Sequence, residues 1–146
     1  MRVPLTPFDF EAKRGFKRIA KLIQREWQGS EPICLGHAQI LLAQCFGYID
    51  YHDATKSTEY PLSASALPAL QDVWSNSLYL IQSHLAKTSS AQAINLTDLI
   101  KAIKAWPFLT LTAYRQHYGN VDYHALVKEV EHAWHTETFA YIDSLK

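Results

Sequence analysis

Cysteine is scarce in this chain, which excludes a disulfide framework: Cys34 and Cys45 are the two in 146 residues. They lie in a segment that reads as one helix, which separates them by about 16 Å along its axis, so they cannot bridge. Both read as small buried thiols. Glycine and proline are few, at 5 and 6, which excludes collagen-like and linker-like chains. An excess of charge of one sign is also missing. Fourteen Lys and Arg stand against fourteen Asp and Glu, so the chain is neither a bulk neutraliser of nucleic acid nor an acidic tail. No apolar run approaches the ~20 residues that span a bilayer. Residues 1–7 contain no apolar signal core. The expectation is a cytoplasmic protein with no membrane contact.

What the sequence has is apolar and aromatic side chains, 48% and 12% of the residues, with 19% charged. That composition is too apolar for disorder and suffices for one buried core. Residues 1–10 read as an extended arm, with Pro4 and Pro7 opposing helix and Phe8 and Phe10 pinning it to the body. From Glu11 a helical period takes over: Phe16, Ile19, Ala20, Ile23 and Trp27 form one apolar face, and Gly29 ends the helix. A second helix spans 36–46, with Ala38, Leu41, Leu42 and Cys45 inward and Gly47 as its cap. A short turn of helix follows over 48–55, then a polar connector over 56–65. Ser63 or Ser65 is the expected cap of a long third helix over 66–87, with Pro68 in its first turn. Its apolar residues are Leu67, Leu70, Trp74, Leu78, Ile81 and Leu85, widened by Val73 and Leu80. A fourth helix over 96–106 starts at an Asn95 or Thr97 cap and stops at Pro107. Residues 108–118 read as helix closed by Gly119, although Leu109 to Thr112 also alternates like a strand. The last helix covers 122–144, with Leu126, Val127, Val130, Trp134, Ile142 and Leu145 inward. The pattern predicts one all-α domain over 1–146, a compact bundle of five or six helices.

One stretch resembles known proteins. Residues 16–24, FKRIAKLIQ, and 35–53, LGHAQILLAQCFGYIDYHD, are similar to a helical motif of small bacterial mobile-element proteins. They also resemble the helical segment of some proteins filed with the glyoxalase superfamily. The shared pattern is a basic amphipathic helix, then an aromatic-Gly-Tyr corner and an aromatic-His pair. Here these are Phe46, Gly47, Tyr48, Tyr51 and His52. The resemblance implies a helical corner alone. It does not extend to the metal-binding strands of glyoxalase and implies no activity.

The clearest electrostatic feature is a basic stripe on the first helix, Arg14, Lys17, Arg18, Lys21 and Arg25, opposite the apolar face. Seven of the fourteen Lys and Arg residues fall in the first 25 positions, against Asp9 and Glu11 alone. Such a stripe suits an acidic protein surface or a phosphate backbone, or is a solvated face. It has no interleaved aromatic to stack a base, which disfavours nucleic acid. A second candidate patch is Tyr114, Arg115 and Tyr118 at a helix joint, of the composition found at protein contacts.

Catalytic and metal signatures are weak. His124, Lys128, Glu131 and His135 share a face of the last helix, with His132 nearby. The set lacks a recognised ligand spacing, and Lys128 would repel a cation. Asp50, His52 and Asp53 contain acid-base groups, yet their positions suit helix caps. Cys34 with a distant His is a conceivable nucleophile pair without a local cause for thiol activation. The expectation is a non-catalytic protein-binding module without cofactor or metal. Its role is a regulator or inhibitor of a protein complex, in its narrowest form an anti-defence, anti-CRISPR-like protein of a phage or plasmid. The alternative is a nucleic-acid-binding regulator acting through the first helix. A leftover apolar stripe on the third helix would serve a homodimer.

Overall fold

The computed structural model describes residues 1–59, 67–88 and 95–144, without the side chains of residue 88 and of 135–144. Among these residues the chain is all-α. Helix α1 (Gly15–Arg25) begins later than its periodicity suggests, because Lys13 adopts a left-handed backbone at φ 65° and Arg14 is extended. It ends at a Glu26 cap, before Gly29. Phe16, Ile19, Ala20 and Ile23 are buried as expected, and Trp27 is half-buried beyond the helix end. Gly15 is required by close approach: a Cβ there would stand 2.9 Å from the Thr110 carbonyl oxygen. The first turn of α1 therefore abuts the 3-10 turn at Phe108–Thr110.

Helix α2 (Leu35–Cys45) packs on α1, and α3 (Tyr51–Lys56) packs on α2. Between them Gly47 turns the chain at φ 95°, where a Cβ would collide with the Met1 carbonyl. This turn receives the N-terminal arm. Val3 N–H donates to the Phe46 carbonyl at 2.9 Å, and the Tyr48 hydroxyl donates to the Val3 carbonyl at 2.7 Å. The buried anchors of the arm are Val3, Leu5 and Asp9. Phe10 packs on Phe16 and Tyr51 as expected of a pin. Phe8 corrects its expectation: it is 45% exposed, with the Arg14 guanidinium 4.4 Å above its ring.

Helix α4 (Leu70–Thr88) is the central element, in contact with α2, α5 (Leu96–Lys104) and α7 (Tyr123–Ser144). Pro68 precedes α4 rather than opening it, and the expected Ser63 or Ser65 cap lies outside the described residues. Leu70, Val73, Trp74, Leu78, Ile81 and Leu85 are all buried. Leu67 and Leu80 of the same stripe are half-buried. At the α4–α7 contact the Trp74 and Trp134 rings meet edge to face, 5.1 Å apart. Asn95 caps α5 by accepting from the Asp98 N–H at 3.1 Å. After Pro107 the chain makes its 3-10 turn and enters α6 (Thr112–Tyr118), so the alternating Leu109 to Thr112 stretch is not a strand. Ile142 and Leu145 fall outside the described side chains.

Asp9 ties the two ends of this architecture together. It is fully buried, and its carboxylate accepts four hydrogen bonds. The Thr6 N–H and hydroxyl donate to Oδ2 at 2.8 and 3.2 Å, and the Thr112 N–H and hydroxyl donate to Oδ1, both at 2.9 Å. Asp9 therefore caps the 3-10 turn at Pro7–Phe10 and also the start of α6, where a negative charge suits the helix dipole. That turn corrects the expectation of an extended arm over 1–10, because Pro7 is tolerated in a first helical turn.

Candidate interaction surface

The exposed side of α1 follows helical spacing, so positions 14, 18, 21 and 25 form one line down the helix. Packing then separates them. Arg18, Lys21 and Arg25 line an open groove of about 630 Å³ between α1 and the end of α5. Lys13, which sequence periodicity did not select, joins them from its left-handed turn. The opposite wall is Ala102, Ala105 and Pro107, with Leu22 and Glu26 completing the lining. Arg14 instead lies over Phe8, and Lys17 is half-buried. Among the described residues no carboxylate is ion-paired to Lys13, Arg18, Lys21 or Arg25. Among the described residues the groove thus presents four cations against one carboxylate, Glu26, beside a small apolar wall.

The Tyr114, Arg115 and Tyr118 patch does not form. Tyr114 is fully buried, and its hydroxyl donates to the Pro68 carbonyl at 2.8 Å. The reason is the turn before α6, which rotates Tyr114 inward against Phe108. Tyr118 is half-buried and stacked parallel to Tyr114 at 6.3 Å. Arg115 is exposed, but its guanidinium serves the local chain, donating to the carbonyls of Leu109 at 3.0 Å and Gly119 at 3.2 Å.

Burial pushes the phenol of Tyr114 well above its ordinary value, with Tyr118 and Asp72 adding in the same direction. Burial also raises Tyr123, whose hydroxyl donates to the Lys104 carbonyl at 2.9 Å. In the unfolded chain both ionise near pH 10, at about the free-tyrosine value. The folded state therefore holds these protons more tightly, and stability is fully present below about pH 10 and falls above it. The expected slope is about 1.4 kcal/mol per pH unit for each buried phenol. An absorbance titration at alkaline pH should show their phenolates appearing together with loss of helical circular dichroism.

The remaining candidates are absorbed by local structure. Asp50 caps α3 by accepting from the Asp53 N–H at 2.8 Å. Asp53 accepts from the Ile49 N–H at 2.9 Å and pairs with Arg2 at 3.5 Å, while His52 is exposed. Glu131 faces Lys104 at 3.4 Å, and the His135 side chain lies outside the description. Among the described residues no group of three His, Cys, Asp or Glu is arranged to hold a metal ion. Cys45 is buried, and burial pushes its thiol up to about 12. Cys34 corrects its expectation: it is the exposed N-cap residue of α2, just outside the helix and so not on its buried face. Among the described residues no helix is long and apolar enough to cross a membrane. Comparison of the chain with protein-family models, with curated proteins and with solved structures finds no match, so the functional reading rests on this geometry.

Proposed function

We propose that this chain is a non-catalytic protein-binding module, a regulator or inhibitor of a protein complex, that engages its partner through the groove between α1 and α5. The observation that carries this reading is the convergence of Arg18, Lys21 and Arg25, without an ion pair among the described residues, beside an apolar wall. Cations at a surface steer and orient an acidic partner, and adjacent apolar area supplies the contact that holds it. The alternative, nucleic acid, finds phosphate contacts here but no aromatic ring on the groove wall for a base to stack on. An anti-defence role is the narrower form of the same reading.

The test is capture of partners from a bacterial lysate, with and without nuclease treatment, by tagged protein, compared with an Arg18→Glu, Arg25→Glu double variant. Both sites are exposed, so the variant should melt with the parent. The parent should retain a stoichiometric protein, and the variant should bind it at least about tenfold more weakly, as reversal of charges at an interface rim predicts. Recovery of nucleic acid alone, or capture unchanged by the double substitution, overturns the reading.

A further inference from the structure

The basic groove continues into a second feature. Leu22, Glu26 and Ala102 line both the groove and a narrower cleft between α1, α4 and α5. The cleft is walled by apolar side chains, chief among them Trp27, Ile81, Leu99 and Trp106. Its volume of about 20 Å³ is that of a space for one small group. A space lined in this way favours an apolar occupant over water. A strip of cations therefore borders an apolar socket, with Ala102 at their junction.

Resting on the protein-binding reading above, we infer that the groove takes an acidic amphipathic segment of a partner protein. Its carboxylates lie along Lys13, Arg18, Lys21 and Arg25, and the end of one aliphatic side chain enters the socket beside Trp27 and Trp106. Guanidinium forks match carboxylates in geometry as well as in charge. One anchored side chain surrounded by a polar rim is the arrangement that concentrates binding energy in protein interfaces. The short side chains of Ala102 and Ala105 leave the opposite wall open to a close backbone. A nucleic-acid strand satisfies the cations, but apart from the thymine methyl it carries no aliphatic group for the socket.

Three fluorescent probes test this on the full chain by anisotropy. They are a synthetic peptide with Glu and Leu at helical spacing, the same peptide with every Leu replaced by Ser, and a single-stranded DNA oligonucleotide. The Glu-Leu peptide should bind, and the Ser version should bind at least tenfold more weakly. Arg18→Glu with Arg25→Glu should weaken the Glu-Leu peptide at least tenfold. Ala102→Met fills the socket from its rim and should reduce the Glu-Leu peptide to the level of the Ser version. Ala105→Glu, on the exposed wall, should weaken both peptides and serves as the second variant should Ala102→Met not fold. Equal binding of the two peptides, or no binding of either, overturns the inference. Oligonucleotide binding tighter than peptide binding, and lost in the double variant, overturns it in favour of nucleic acid. Lysate capture that needs Arg18 and Arg25 but survives Ala102→Met overturns the socket and leaves the protein-binding reading standing. Failure of the parent to capture any protein overturns that reading itself.

Discussion

Replacing Trp74 with alanine will lower the unfolding free energy by about 3–5 kcal/mol, the cost of truncating a large buried aromatic. Trp74 is fully buried in the second turn of α4 and packs edge to face on Trp134 of α7. Aromatic pairs in this geometry contribute about 0.5–1.5 kcal/mol beyond the area they bury. The indole N–H of Trp134 also donates to the Ser75 hydroxyl at 2.9 Å, so the pair and its neighbours form one contact between the two helices. Alanine at position 74 leaves a void that Trp134 cannot fill without giving up that bond. The midpoint of a thermal melt should fall by roughly 10–15 °C, given the entropy of unfolding of a domain this size. A melt that barely moves would show that the α4–α7 contact does not carry the core.

Asp9→Ala should cost about 3 kcal/mol, the sum expected for losing caps on two short helical elements and exposing their donors to a dry site. Four hydrogen bonds disappear at once, and the Thr112 N–H at the start of α6 loses its acceptor. Asp9→Asn should be less damaging, because one carboxamide oxygen still accepts while its NH2 faces donors. Urea denaturation measures both variants. Limited proteolysis adds a second readout, since residues 1–10 should become cleavable in Asp9→Ala before the remainder of the chain does. An Asp9→Ala variant within about 0.5 kcal/mol of the parent, the range of an ordinary surface substitution, would refute this role.

These two residues differ in how legible they were. Trp74 stands in a stripe of apolar residues spaced by threes and fours, and that spacing alone places it inward. Asp9 carries no such signal. Its partner Thr112 is 103 residues away, and nothing in the local sequence marks a carboxylate as buried. Tyr114 shows the opposite error: its polar neighbours suggest a surface, but the short turn at Phe108–Thr110 resets the helical phase and turns it inward. Cys34 falls one residue outside α2, where the burial pattern of the helix no longer applies.

The helical class, the buried faces of α1, α2 and α4, and the basic line along α1 follow from the sequence by itself, because a period of 3.6 residues decides which side chains share a face. The groove needed the tertiary structure. Periodicity says that Arg18, Lys21 and Arg25 point away from the core, but not what stands opposite them. Only the packing that lays α5 beside α1 brings Ala102, Ala105 and Pro107 across from the cations, and only the left-handed turn at Lys13 adds the fourth. The same packing leaves the apolar socket open at the end of the basic strip. Contacts of this kind join residues far apart in the chain, and local spacing carries no information about them.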